Sequence, residues 1–184
     1  VLDKFSNYLT SKLREKHKDI KLSADVFWLV TNWDMLWIWQ KLESYLLYFD
    51  YVCPMTYPSH YWVNYLWFSV PDNHPYEILL DAMKHASIKI DDLNIEIQNA
   101  KDEQRKIKLL SNYETDLQIE TYSQIDKNKI RPRLQWFNCT WCKWYTTYNR
   151  EKFRKQISAL NDSWYYSWFV WNSSSNYYFD WYNK

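Results

Sequence analysis

Glycine is absent from this chain of 184 residues. Average usage of about 7% would place roughly 13 glycines in a chain of this length. Without glycine the sequence contains neither a glycine-rich phosphate loop nor the Gly-x-Ser-x-Gly elbow of α/β-hydrolases. The His-Glu-x-x-His motif of zinc proteases is also missing. The sequence therefore offers no motif of these nucleotide-binding and hydrolytic classes.

The sequence also lacks a large net charge and long hydrophobic runs. The 23 basic residues are balanced by 22 acidic ones, and a net charge of +1 gives no electrostatic basis for binding nucleic acid. No apolar run approaches the roughly 18 residues that span a bilayer, so no transmembrane segment is predicted. The chain begins at Val1 rather than Met, and we interpret it as a fragment whose leader, if present, lies upstream.

Cysteine occurs three times, which is too few and too uneven for a disulfide scaffold. Cys139 and Cys142 have the Cys-x-x-Cys spacing of half a zinc site or of a redox pair. No second Cys-x-x-Cys supplies the remaining ligands of a structural zinc. The sequence favours incidental loop cysteines, and we predict neither a metal nor a cofactor.

Tryptophan, which is usually rare, occurs 13 times. Many of these residues stand where glycine is typical: Trp164 follows a helical pattern and Trp33 lies in a turn-like Asn-Trp-Asp sequence. The same holds for Trp28, Trp37, Trp39 and Trp62. We hypothesise that a codon read as glycine in the source was rendered as tryptophan. The alternative is a tryptophan-rich, carbohydrate-binding surface.

Hydrophobic periodicity predicts an alternation of strands and helices. Two predicted helices cover 2–18 and 40–49, a third begins at Pro75, and a fourth follows Asn149. The predicted strands lie within 20–27, 50–61, 129–135 and 165–172. About four parallel strands alternating with helices are typical of half of a (β/α)8 barrel, and a small open α/β sheet is the alternative. We predict one partial barrel domain over 1–184, with a helical insertion over 91–128. Half a barrel leaves two unpaired sheet edges, so a partner half is expected.

Polar and aromatic residues follow two of the predicted strands. The stretch from Asp50 to Tyr61 becomes polar within a few residues, with Tyr57, Ser59 and His60 beyond the strand, and Asp25 closes the strand before it. Active sites of parallel α/β proteins lie at the carboxyl ends of strands. These four residues are candidates for chemistry, although Tyr57 and His60 can also be read as ordinary loop residues.

Five motifs occur in order along the chain: Ser23–Phe27, Asp50–Tyr61 (particularly Met55–Tyr61), His74–Glu77, Ile130–Gln135 and Trp168–Asn172. Together they resemble the DUF4015 family of glycoside hydrolases, and the resemblance runs from about residue 20 to residue 178. The family shows glycine at the positions of Trp28 and Trp164, which supports the recoding hypothesis, whereas Trp168 and Trp171 match family tryptophans. The resemblance implies a TIM-type barrel of which this chain is the carboxyl-terminal half.

The resemblance also implies carboxylate acid/base chemistry on a polysaccharide or cell-envelope glycan, with an extracytoplasmic or cell-envelope location. Asp25 is expected to be the general acid/base or the nucleophile, and a second carboxylate is expected in the missing amino-terminal half. The fragment alone is then expected to be inactive. Asp50 precedes its strand and is expected at the opposite end of the sheet.

The remaining roles implied by the resemblance concern carbohydrate binding. Tyr57 and His60, with Ser59 beside them, are expected to bind sugar hydroxyls or to tune Asp25. Gln135 and Asn172 are expected to donate hydrogen bonds to hydroxyls, and Trp171 to offer an apolar platform. Two alternatives remain for single residues: Asp25 as a buried carboxylate satisfied by backbone donors, and Trp171 as interior packing. A non-catalytic carbohydrate-binding or cell-envelope protein is the alternative function.

Overall fold

Four α-helices and four short strands alternate along the chain in a computed structural model, which describes residues 2–102 and 124–181. In chain order they are α1 (Leu2–Lys16), β1 (Ser23–Val26), α2 (Leu42–Tyr48), β2 (Tyr51–Pro54), α3 (Pro75–Asp102), β3 (Arg133–Gln135), α4 (Arg150–Asp162) and β4 (Phe169–Trp171). The predicted mixed α/β class is confirmed. None of the helices in these two ranges is long and apolar enough to cross a membrane.

The strands form two parallel pairs. β1 pairs with β2, with Asp25 opposite Cys53, and β3 pairs with β4, with Gln135 opposite Trp171. A single parallel bridge between Val52 and Ile130 joins the two pairs. Neighbouring strands are therefore parallel and follow the order of the sequence.

Pro132 explains why the predicted strand over 129–135 is shorter in the structure. A proline has no N–H to donate to a strand ladder. Before it, the Arg131 N–H donates to Val52 O at 2.8 Å, and the Pro132 carbonyl itself accepts from Phe169 N at 3.0 Å. The chain thus changes partner at Pro132, from β2 on one side to β4 on the other.

The hydrophobic core lies on one face of the strands. Val26, Val52 and Leu134 point into a single buried cluster that also contains Leu42 of α2 and Phe153 of α4. Side chains alternate along a strand, so Asp25, Cys53 and Arg133 belong to the other face. The helices therefore cover one face, and the functional candidates are left on the opposite face and at its edge.

Helix α3 continues through the predicted boundary at residue 91. Leu93 and Ile97 are buried in the same core as Ile90, so the segment up to Ile97 belongs to the main core instead of projecting from it. The helical spacing of Leu93 and Ile97, which lies within the predicted insertion, is therefore part of the buried stripe of one long helix. Residues 103–123 of the predicted insertion lie outside the described residues, and the insertion stays a prediction there.

Three tryptophans have left-handed backbone conformations. Trp39, Trp67 and Trp164 have φ angles of 59°, 68° and 65°. Their side chains are 52%, 94% and 73% exposed, so little burial offsets the unfavourable backbone. Trp39 and Trp164 agree with the sequence-based expectation, and Trp67 was missed. Within the described ranges no left-handed φ occurs at the other four expected positions, Trp28, Trp33, Trp37 and Trp62.

Candidate functional site

The carboxyl ends of β2, β3 and β4 bring four rings together: Tyr57, His60, Phe137 and Trp171, called here the aromatic cluster. Tyr57 stacks on Trp171 with centroids 5.6 Å apart and planes 22° apart. Phe137 meets both rings edge-on, at 5.4 and 5.1 Å, and His60 meets Tyr57 edge-on at 5.3 Å. Burial raises the pKa of the Tyr57 phenol, so this hydroxyl stays a neutral hydrogen-bonding group.

Asp25 lies at the same edge but in a polar setting. Its Oδ1 accepts a hydrogen bond from Arg133 Nε at 2.6 Å, and its side chain is 46% exposed. The alternative role of Asp25 as a buried carboxylate satisfied by backbone donors is therefore wrong, because its side chain is about half exposed and its donor is an arginine side chain. Arg133 also lies over the Phe169 ring at 5.4 Å, and its hydrogen bond to Asp25 raises the pKa of its guanidinium.

Gln135 is fully buried and its amide is engaged by protein atoms. Its Oε1 accepts from the Ser59 N–H at 3.0 Å, and its Nε2 donates to Phe137 O at 3.0 Å and to Asp72 Oδ1 at 3.2 Å. In this structure the amide ties the loops after β2 and β3 together. Ser59 Oγ lies 3.0 Å from His60 Nδ1, so the same contacts orient the imidazole. Burial lowers the pKa of His60, while the charge of Asp72 opposes this shift.

Asp72 was not identified from the sequence. Its buried carboxylate accepts hydrogen bonds from Thr146 N at 2.6 Å and Thr146 Oγ1 at 2.8 Å, in addition to the one from Gln135 Nε2. In the sequence this region carries only the motif His74–Glu77 and the predicted start of a helix at Pro75. A partner 74 residues away leaves no local signal, so periodicity could not have revealed a buried carboxylate here.

Asn172 holds the loop that follows β4. Its Nδ2 donates to Trp136 O at 2.6 Å and to Asn176 O at 2.7 Å, and its Oδ1 accepts from Ser174 N at 2.8 Å. This loop forms one wall of a cleft of about 490 Å³. The aromatic residues that line the cleft are Trp136, Phe137, Trp141, Tyr148, Tyr178 and Trp181. Phe137 belongs to both the cleft and the aromatic cluster, so the two are continuous.

Cys139 and Cys142 form a disulfide, whereas the sequence favoured incidental loop cysteines. The loop after β3 turns so that the Cys142 N–H donates to Cys139 O at 2.8 Å, which brings the two Cα atoms to 5.2 Å. The two sulfurs and a ring nitrogen of His60 all lie within 4.8 Å of one another. The cysteine pair is therefore part of the candidate site.

Comparison with known proteins identifies a family for this chain. The family model described as "Putative glycosyl hydrolase domain", DUF4015, matches residues 1–106 and 93–177, two overlapping segments that together cover most of the chain. No curated protein and no solved structure matches the chain. On the extent of the family match, this chain belongs to the DUF4015 family.

Proposed function

We propose that this chain is the carboxyl-terminal half of a (β/α)8-barrel glycoside hydrolase. The support is that adjacent strands are parallel, follow sequence order, and carry their helices on one face. A doubly wound sheet would instead place helices on both faces. In this proposal residues 1–184 form one partial barrel domain, an amino-terminal half completes it, and the face that carries Asp25, Cys53 and Arg133 lines the barrel interior.

In the proposed mechanism Asp25 is the catalytic carboxylate that this half supplies. A carboxylate that accepts a bond from a guanidinium is suited to act as a nucleophile or base, and Arg133 fixes its direction. Glycosidases generally use two carboxylates, about 5 to 5.5 Å apart in retaining enzymes and roughly 6.5 to 9.5 Å apart in inverting ones. Asp72 is not a suitable second carboxylate because it is buried and bound by Thr146 and Gln135. The amino-terminal half would supply the second.

The proposed substrate is a polysaccharide or a cell-envelope glycan. The stacked pair of Tyr57 and Trp171 offers an aromatic surface, and the neighbouring cleft continues it. Burial is the main cause that raises the pKa of the Tyr57 phenol. The nearby charges of Arg133 and Asp25 also act on this pKa, the first lowering it and the second raising it. Tyr57, Ser59 and His60 would contact sugar hydroxyls. Gln135 and Asn172 would position the loops, since their amides are already engaged.

One observation carries the proposal: a carboxylate held by an arginine lies at the carboxyl edge of parallel strands, close to a stacked aromatic pair. The test uses the full-length protein that contains this chain and measures the release of reducing sugar from envelope glycans and plant or bacterial polysaccharides. Asp25→Asn should abolish hydrolysis, and the exposed Asp92→Asn should not. Hydrolysis that persists in Asp25→Asn would exclude Asp25 as the catalytic group.

A non-catalytic glycan-binding protein is the second candidate function. It is favoured by the ion pair of Asp25, because a carboxylate already paired with the Arg133 guanidinium can serve as a fixed hydrogen-bond acceptor for a sugar hydroxyl without taking part in hydrolysis. Under this alternative the wild-type protein releases no sugar, and binding to the same glycans survives Asp25→Asn. A binding isotherm for each variant beside the hydrolysis assay separates the two functions.

A further inference from the structure

Cys139, Cys142 and His60 form a compact set of metal-ligand residues, of which the proposed hydrolase uses only His60, as a contact to sugar hydroxyls. Their ligand atoms lie within 4.8 Å of one another, and the two cysteines have the Cys-x-x-Cys spacing found in zinc sites. The three side chains come from two loops, after β2 and after β3, that meet at the edge of the sheet. This arrangement is produced by the fold and not by sequence proximity alone.

The imidazole of His60 is already oriented by neighbouring residues. Its Nδ1 lies 3.0 Å from Ser59 Oγ, and Ser59 is itself held by Gln135 through its backbone N–H. A metal-bound histidine commonly donates its second ring N–H to such a partner. If Nδ1–H donates to Ser59 Oγ, Nε2 would be the ring nitrogen left with a lone pair for a metal.

The surroundings favour a soft divalent cation. Cys139 is fully buried, and it packs against Tyr57 and Phe137. Thiolate and imidazole ligands select zinc over calcium or magnesium, which prefer oxygen ligands. Three protein ligands with water in the fourth position make up a complete tetrahedral zinc site.

We propose that, when the disulfide is reduced, Cys139, Cys142 and His60 bind one zinc ion. A phosphine reductant and water convert the disulfide to two thiols and the phosphine oxide. Zinc then replaces the two thiol protons, which are released to solvent, and forms two zinc–thiolate bonds. The disulfide and the metal exclude each other, because sulfurs joined to one another provide no thiolate ligands. Zinc binding is measured directly, so its outcome is independent of the proposed hydrolase.

The test titrates zinc into the reduced chain, after removal of the phosphine, in competition with a chromophoric chelator. We expect one equivalent to bind, and bound Co²⁺ to show thiolate charge-transfer absorption. Cys142→Ser and His60→Ala should each weaken binding by roughly 100-fold or more, and Ser59→Ala by about 10- to 100-fold. Cys53→Ser and His74→Ala are matched controls outside the trio and should bind zinc as the wild type does.

Three results would overturn the proposal: no stoichiometric zinc binding by the reduced chain, equal binding by the oxidised chain, or wild-type affinity in His60→Ala. Circular dichroism of each apo variant establishes whether it is folded. Ser59→Ala keeps all three ligands and still reports on the orientation of the imidazole. Wild-type zinc affinity in folded Ser59→Ala would contradict the assignment of Nε2 as the ligand atom.

Discussion

Arg133 Nε lies 2.6 Å from Asp25 Oδ1, although β2 runs between the strands that carry them. Strands two positions apart in a sheet are separated by about 9.6 Å, and a long arginine side chain can span that distance. Both residues therefore project from the same face, above Cys53 of the middle strand. Burial is the largest cause that raises the pKa of the Cys53 thiol to about 11. The charge of Asp25 raises this pKa further, and the charge of Arg133 lowers it.

Arg133→Ala tests whether this pair serves function more than stability. Asp25 is half exposed, so we expect the free energy of unfolding to fall by less than about 1 kcal/mol. Loss of the fixed carboxylate direction should lower glycan hydrolysis by roughly 10-fold or more. Urea denaturation and initial rates measure the two effects, with Lys12→Ala, from an exposed ion pair, as the control. A large loss of stability with unchanged hydrolysis would contradict the assignment.

Gln135→Met tests the buried contacts beneath the site. The substitution keeps the volume but leaves the Ser59 N–H and one oxygen of Asp72 without their partner. Burying unpaired polar groups should lower the free energy of unfolding by about 2 to 4 kcal/mol. Gln124→Met, at an exposed position, should change it by less than about 0.5 kcal/mol. Equal effects of the two substitutions in thermal or urea unfolding would show that the Gln135 contacts contribute little.

Local features of the sequence predicted residues at the strand ends of the candidate site but not the buried contacts that hold its loops. The change from apolar to polar residues at strand ends pointed to Asp25 and Tyr57, because strand ends are local and the ends of parallel strands meet, whereas Trp171 came only from the family resemblance. The contacts of Gln135 join residues 63 and 76 positions apart, and no periodicity encodes them. For the same reason, spacing alone did not show that Leu93 packs into the main core.

Asp50 provides a prediction about pH. It lies at the amino-terminal end of β2, as expected, and accepts from Leu22 N at 2.9 Å, Arg14 at 3.0 Å and Lys21 at 3.2 Å. Burial alone would raise the pKa of this carboxyl, but these donors outweigh it and hold the pKa below its usual value. The stabilisation is therefore complete above the unfolded pKa of about 3.9 and is lost as pH falls through the lower folded pKa.

We expect Asp50→Asn to lower the free energy of unfolding by about 1 to 2 kcal/mol near neutral pH, since the side chain is only 22% exposed. The difference from wild type should shrink as the pH falls below about 3.9. Urea denaturation from neutral pH to about pH 2.5 gives the profile. Asp91→Asn, whose carboxylate is largely exposed, is the control and should show a smaller difference at neutral pH. A difference for Asp50→Asn that grows on acidification would contradict the sign of the shift.

Trp39, Trp67 and Trp164 test the recoding hypothesis, because each exposes a large side chain on a left-handed backbone. A left-handed conformation costs a residue with a Cβ roughly 1 to 2 kcal/mol, and glycine avoids most of that cost. Each Trp→Gly substitution should therefore raise the free energy of unfolding by up to about 1 kcal/mol, the flexibility of glycine in the unfolded chain offsetting part of the gain.

Trp136→Gly is the matched control, since Trp136 is fully buried between Phe153 and Trp181. Removing its ring should destabilise the chain by about 3 to 5 kcal/mol. Peptide mass spectrometry of the protein from its native source measures the same hypothesis directly, because glycine and tryptophan differ greatly in mass. Tryptophan found at positions 39, 67 and 164, together with Trp→Gly variants less stable than the parent, would show that these exposed rings are native and that the left-handed turns tolerate them.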